Sequence, residues 1–204
     1  MIITFANQKG GVGKSTLTVN MAAAIHETFQ EPVMVVDLDN QETAAEWVEK
    51  GALPVSATRK VTGDQLTAPG FVLLDTPGNL HDPMTQKAIE IADVVVIPCN
   101  SAPGAMAPTS RTIAVVKKVK GVNPIVVLTD LRQGSIIERA ILEWSQTLGV
   151  PVAKTILHRR EIFPQTQVMG SWVQSGPARE QLLALVAEIL RLHQKQQGKR
   201  GMLV

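Results

Sequence analysis

The stretch Gln8-Lys9-Gly10-Gly11-Val12-Gly13-Lys14-Ser15-Thr16 gathers the residue types that bind phosphate. Glycines at 10, 11 and 13 leave room for backbone N–H groups to curl around an anion. An apolar run, residues 2–6, precedes the stretch and a helical pattern follows it. A bound anion would therefore also meet the positive end of a helix. Lys14 has the reach for β- and γ-phosphates, and the Ser15 hydroxyl is suited to Mg²⁺. Val12 and Thr16 complete the expected cradle. The consensus G-x-x-x-x-G-K-[ST] fits only in its second half, because Gln8 stands where glycine is usual and Lys9 is an additional cation. Two ammonium groups about 5 Å apart repel by roughly 3 kcal/mol at an effective dielectric near 20. A site holding both favours an anion between them, or directs one of them elsewhere.

Carboxylates recur at the ends of two further apolar runs. Phe71-Val-Leu-Leu ends at Asp75, the pattern that brings a carboxylate near Mg²⁺ at the carboxyl end of a strand. Val33-Met-Val-Val ends at Asp37, with Asp39 two residues on. Strand alternation puts Asp37 and Asp39 on one side and Leu38 on the other. One of the two can organise Mg²⁺ or its waters while the other orients an attacking water. The sequence Asp75-Thr-Pro-Gly78 also fits the D-x-x-G pattern of GTPases, but no N-K-x-D guanine reader follows the later run 125–129. ATP is therefore the expected nucleotide.

These residues need a scaffold that delivers them to one edge. Five runs, 2–6, 33–37, 71–75, 94–98 and 125–129, are short, β-branched and nearly continuously apolar, as strands buried on both faces are. A weaker strand candidate is 152–156. Helical periods lie between them, after the glycine-rich loop and near 81–92, 105–120, 135–148 and 178–197, with Ser15-Thr16 and Gly134-Ser135 as helix starts. Residues 51–69 show no clear period and read mostly as loop. The alternation predicts an α/β fold, a mostly parallel central sheet with helices on both faces. One domain over residues 1–204 is expected, long enough to bury a sizeable core.

Composition is ordinary for a soluble protein, 45% hydrophobic and 19% charged. No basic leader or bilayer-length apolar run is visible, and the single cysteine, Cys99, rules out an internal disulfide or a cysteine metal cluster within one chain. A cytoplasmic protein is expected. The formal charge of +2 is uneven: residues 1–153 carry 12 Lys/Arg against 15 Asp/Glu, and residues 154–204 carry 8 against 3. The basic quarter is as compatible with a solvated helix face as with a polyanionic partner.

Lys-Gly-Gly-Val-Gly-Lys-Ser-Thr (9–16), Val-Val-Asp-Leu-Asp-Asn-Gln (35–41) and Phe-Val-Leu-Leu-Asp-Thr-Pro-Gly (71–78), in this order, resemble the ParA/MinD group of deviant Walker ATPases, most closely the short ParA-type partition ATPases. The resemblance covers essentially the whole chain. It implies an ATPase with ATP and Mg²⁺, and a homodimer that sandwiches two nucleotides. Lys9 would then be the signature lysine that reaches the partner's ATP, Lys14 the phosphate-loop lysine, and Asp39 the residue supporting hydrolysis. Asp37, Asp75 and Ser15 would surround the metal and its waters. Two positions depart from the family pattern: Asn40 stands where proline is usual in DPQ, and Gly78 where many members have a second proline. Both change loop freedom.

The same resemblance implies non-specific binding of double-stranded DNA by the ATP dimer, on the nucleoid, and a ParB-type adaptor that stimulates hydrolysis. The chain starts at its first strand, so no N-terminal helix-turn-helix extension is expected. Candidate phosphate contacts are Lys154, Arg159, Arg160, Arg179, Arg191, Lys195, Lys199 and Arg200, with Lys117, Lys118 and Lys120 as a second cluster. In relatives the loop holding Arg159 and Arg160 lies near the adenine. The alternative is a MinD-like ATPase recruited to membranes by a C-terminal amphipathic helix. The tail offers only Met202, Leu203 and Val204 as apolar anchor, so no membrane is expected. Cys99 reads as a buried small hydrophobe, Trp47 and Trp144 as helix packing residues, and Trp172 as either surface-exposed or a partner contact. His26, His81 and His193 have no metal-ligand spacing.

Overall fold

A computed structural model describes residues 1–51, 53–60 and 62–201, with side chains to Lys195. Met202, Leu203 and Val204 lie outside the described residues, as do the side chains of Lys199 and Arg200. The strands are β1 (Ile2–Phe5), β2 (Val33–Asp37), β3 (Ser56–Thr58), β4 (Phe71–Asp75), β5 (Val94–Asn100), β6 (Asn123–Leu131) and β7 (Leu157–His158). The helices are α1 (Lys14–Phe29), α2 (Thr43–Lys50), α3 (Gly63–Thr67), α4 (Pro83–Glu90), α5 (Met106–Val116), α6 (Ile136–Ser145), α7 (Ile162–Met169) and α8 (Gly176–Gly201). The strands form one seven-stranded sheet in the order β3-β2-β4-β1-β5-β6-β7. Among the described residues every strand pairing is parallel. The expected α/β architecture is therefore the observed one.

Alternation within the strands builds apolar cores on both faces of the sheet. Ile3, Phe5, Val35, Leu73, Val94, Val96, Ile125 and Val127 face α1, α2 and α8. Their neighbours Val95, Ile97, Val126 and Leu128 pack with Ile113 of α5 and Ile141 of α6, while Val36, Val72 and Leu74 meet Ala88 of α4. On α8, Leu182, Leu185, Val186 and Ile189 are fully buried. At about 2 kcal/mol for each such side chain, that stripe is what docks the helix. Trp172 is also buried in this core, so it is a packing residue and neither an exposed nor a partner-facing one. Cys99 is buried, as expected.

Three local expectations are corrected. Residues 51–69 hold β3 and α3, the latter started by a capping box in which Thr62 and Gln65 satisfy each other's backbone N–H groups. The segment 152–156 does not continue as a strand. Val152 makes only an isolated bridge to Val126, and β7 forms later, at 157–158. The reason is Glu188, whose carboxylate accepts from Lys154 N at 2.7 Å and Thr155 N at 3.0 Å, taking donors a ladder would need. Finally, α1 starts at Lys14, with Gly13 as N-cap and no side-chain cap.

Candidate functional site

Parallel register brings the carboxylates together. Asp37 pairs with Asp75 across β2 and β4, and Asp75 pairs with Phe5 of β1, the strand that feeds the glycine-rich loop. All three ends open on the carboxyl edge of the sheet, where open α/β sheets bind ligands.

The loop is held by side chains that bond its carbonyls. Asn100 at the end of β5 donates Nδ2 to Gly11 O at 3.0 Å, and Thr129 of β6 donates Oγ1 to Val12 O at 3.0 Å. Gly11 and Gly13 have φ of 70° and 92°, a region costly for other residues. Among the described residues, the N–H groups of Gly10, Gly11, Val12 and Gly13 donate to no protein acceptor. With α1 uncapped, the result is a row of donors backed by a helix N-terminus, which suits an anion. Sequence reading missed Asn100 and Thr129. Their signal was a polar residue ending an apolar strand on the same edge.

Lys14 is 7% exposed and its Nζ lies 3.5 Å from Lys9 O, a long contact. Burial lowers its pKa, and the charges of Asp75 and Asp39 pull it back up. Asp75 is fully buried. Its Oδ1 accepts from Thr18 Oγ1 at 3.3 Å, and among the described residues its Oδ2 has no hydrogen-bond partner. An orphaned buried carboxylate oxygen beside Ser15 fits a cation or its bound water. Asp37 differs: Oδ1 accepts from Asp39 N at 3.0 Å, and Oδ2 from Ala44 N at 2.8 Å and Ala45 N at 2.9 Å. Its geometry anchors the loop into α2, and Oδ1 with its single bond keeps a lone pair for the expected metal or its waters. Among the described residues no cluster of three His, Cys, Asp or Glu could hold a metal, so a cation here would draw further ligands from phosphate and water.

Beside the loop lies a cavity of about 220 Å³, lined by Gly13, Thr16, Asn100, Asp130, Arg160 and Phe163 among others. Its α7 wall was missed because Ile162–Met169 carries a proline and no amphipathic period.

Residues 3–170 match the model of the "CobQ/CobB/MinD/ParA nucleotide binding domain" family. The chain belongs to this family. It is a ParA/MinD-family ATPase, as the motifs led one to expect. A relative named "Maintenance of carboxysome distribution protein A", from Halothiobacillus neapolitanus, is 29% identical over 82% of this chain and 84% of its own. The "Chromosome-partitioning ATPase Soj" of Thermus thermophilus is 31% identical over 60% of this chain and 64% of its own. The MinD cell division protein of Aquifex aeolicus shares the fold, with a TM-score of 0.75 over 93% of this chain and 97% of that one at 16% identity.

In this family member the basic C-terminal candidates differ in their partners. Arg159 makes a two-pronged bond to Asp130 at 2.8 Å on each side, and Arg179 pairs with Glu27. Arg160 lines the cavity, its Nε buried without a hydrogen-bond partner among the described residues. Lys154, Arg191 and Lys195 are exposed. Arg160 therefore stands at the cavity beside the loop, where it can also meet a nucleotide. Arg160→Ala is expected to weaken nucleotide binding about tenfold, the loss of one charge-assisted bond, while duplex DNA affinity at saturating nucleotide stays put. Fluorescent-nucleotide titration and a DNA gel shift check the two halves.

Asp75 makes a pH prediction. Its carboxyl is pushed up to about 7, first by burial, with the Asp37 and Asp39 charges adding to it and Ser15 and Lys14 opposing. A carboxyl raised in the fold above its ordinary 3.8 stabilises at low pH, and that contribution is lost as pH climbs through about 7. The nucleotide-free Tm difference between Asp75→Asn and wild type should therefore move in favour of the variant from pH 5 to 8. An invariant difference would mean that Asp75 is not buried as a strained carboxylate.

Proposed function

We propose that the chain is an ATP- and Mg²⁺-dependent positioning ATPase. It dimerises with ATP, binds duplex DNA non-specifically and releases it on adaptor-stimulated hydrolysis. The observation that carries this reading is Lys9. Its side chain has no hydrogen-bond or ion-pair partner among the described residues, while it sits on the exposed Gly10–Gly11 rim of a formed phosphate loop. A cation beside Lys14 with no ion-pair partner among the described residues suits the phosphates of a second subunit's ATP, where it acts like an arginine finger supplied in trans.

In this reading the loop N–H groups and Lys14 bind the β- and γ-phosphates, Ser15 and Asp75 hold Mg²⁺ or its waters, and Asp39 orients the attacking water. Bound Mg²⁺ supplies charge neutralisation at the phosphates. Asp37 keeps Asp39 in place through the Asp39 N–H. The 220 Å³ cavity takes the base. The cargo is a replicon, as the Soj name suggests for that relative, or a large protein body, as the carboxysome relative's name suggests. A ParB-type adaptor, or its counterpart on such a body, resets the cycle, and the ATP form is nucleoid-associated. Among the described residues no helix is long and apolar enough to cross a membrane.

The test offers both duplex DNA and anionic liposomes to the protein with ATP, ADP or no nucleotide. ATP-dependent retention on DNA alone is expected; retention on liposomes alone overturns the DNA reading in favour of MinD-like recruitment. If Lys154, Arg191 and Lys195 are the contacts, each subunit neutralises about three phosphates, and log affinity should fall with log salt at a slope of about −3 per subunit. Neutralising all three side chains should abolish most of that slope.

A further inference from the structure

The residues just before the phosphate loop are tied to α5. Asn7 is 1% exposed, and its Nδ2 donates to Pro98 O at 2.7 Å and to Thr109 Oγ1 at 2.9 Å. Its Oδ1 accepts from Lys9 N at 2.9 Å. Gln8 N donates to Thr112 Oγ1 at 3.2 Å, and Arg111 Nε donates to Gln8 Oε1 at 2.6 Å. Both threonine hydroxyls are themselves oriented, donating to Ala105 O and Pro108 O one turn back on α5. On the other side the turn after β4 closes in, since a Cβ on Gly78 would lie 3.3 Å from Gly10 N. The backbone around Lys9 is therefore held by Asn7 and α5 on one side and approached by Gly78 on the other, while among the described residues its side chain has no partner. Packing explains the buried Asn7 and Thr109. It does not explain why an exposed arginine reaches 103 residues along the sequence to a glutamine next to the lysine.

We propose that Arg111 and Thr112 of α5 are positioning residues for Lys9, acting through Gln8 to fix the backbone from which its ammonium reaches phosphate. This rests on the reading of Lys9 as a phosphate-contacting residue. A long side chain aimed across a subunit boundary gains from a fixed base, because the ordering is completed before the partner arrives. The glutamine in place of the usual first glycine then has a use: it gives α5 a side chain to hold. Arg111 is on the exposed side of α5, so the device is open to an outside ligand that competes for it.

The test measures steady-state ATP turnover at a protein concentration where wild-type activity per subunit has levelled off, alongside nucleotide affinity and Tm. Arg111→Ala and Gln8→Ala should each lower kcat about fivefold with KM for ATP within about twofold, since a displaced reacting group costs rate more than ground-state binding. Gln8→Glu, which keeps an acceptor for Arg111, should retain wild-type kcat. A loss of Tm with kcat and KM moving together would mark a structural role and overturn the proposal. Lys9→Ala separates the two layers. If it abolishes turnover while Arg111→Ala and Gln8→Ala are normal, the positioning idea falls and the Lys9 reading stands. If Lys9→Ala turns over normally, both fall.

Discussion

Lys14→Ala is expected to lower nucleotide affinity by at least about 100-fold, with the fold intact. The size follows from what Lys14 lacks. It is buried at the mouth of the loop, its best acceptor is the Lys9 carbonyl at 3.5 Å, and burial disfavours its charge. Such a lysine is poorly satisfied until an anion arrives. Losing one partner of a buried, hydrogen-bonded charge pair costs about 2–5 kcal/mol, and about 1.4 kcal/mol is tenfold in affinity. The substitution also strips Asp75 of a nearby cation, so it stays protonated to higher pH and binds a metal less well. Lys14→Arg should rescue only in part, because a planar fork replaces a point charge in a loop sized for the latter. The measurement is titration with a fluorescent ATP analogue, with and without Mg²⁺, alongside circular dichroism. Unchanged affinity in Lys14→Ala would remove the loop from the nucleotide site altogether.

How far this site could be read in advance depends on how local its causes are. The loop, Asp75 and the central strands were legible because each is written within a few consecutive residues: glycines where N–H groups must turn inward, apolar runs where both strand faces are covered. β7 was misplaced because its limit is set by Glu188, more than 30 residues away. Asp37 illustrates a finer limit. Alternation relates it to Asp39, yet β2 ends at Asp37 and only the folded chain shows its oxygens accepting from Asp39, Ala44 and Ala45. The basic quarter was the least legible part. Arg159, Arg160 and Arg179 are equivalent as charges in a sequence, but one is paired with Asp130, one lines the cavity and one is paired with Glu27. Charge counting carries no information on such partners, because the carboxylates lie up to 152 residues away.

Asp39→Ala is expected to slow ATP turnover about 100- to 1,000-fold while leaving nucleotide binding near wild type, so that the ATP-bound dimer accumulates. The magnitude is that of removing a positioned general base or water-orienting group. The structure makes this a clean substitution. Asp39 holds its loop mainly through its backbone, donating N–H to Asp37 Oδ1 at 3.0 Å and accepting at its carbonyl from Glu42 N at 2.9 Å. Alanine keeps both bonds and loses only the side-chain contact to Gln41 N at 3.0 Å. The side chain is half-exposed, unlike Asp75, so it can meet solvent water without the cost of burying a charge. The neighbouring Asn40 sharpens the comparison. A proline there would push Asp39 toward extended conformations, whereas Asn40 leaves the loop freer. Asn40→Pro should then raise turnover modestly if loop ordering limits the rate, and Asp39→Asn should be nearly as slow as Asp39→Ala if the negative charge is what counts. Size-exclusion chromatography with ATP, phosphate release and DNA retention read the three consequences together. Normal turnover in Asp39→Ala would reassign the hydrolytic role to another residue of this edge.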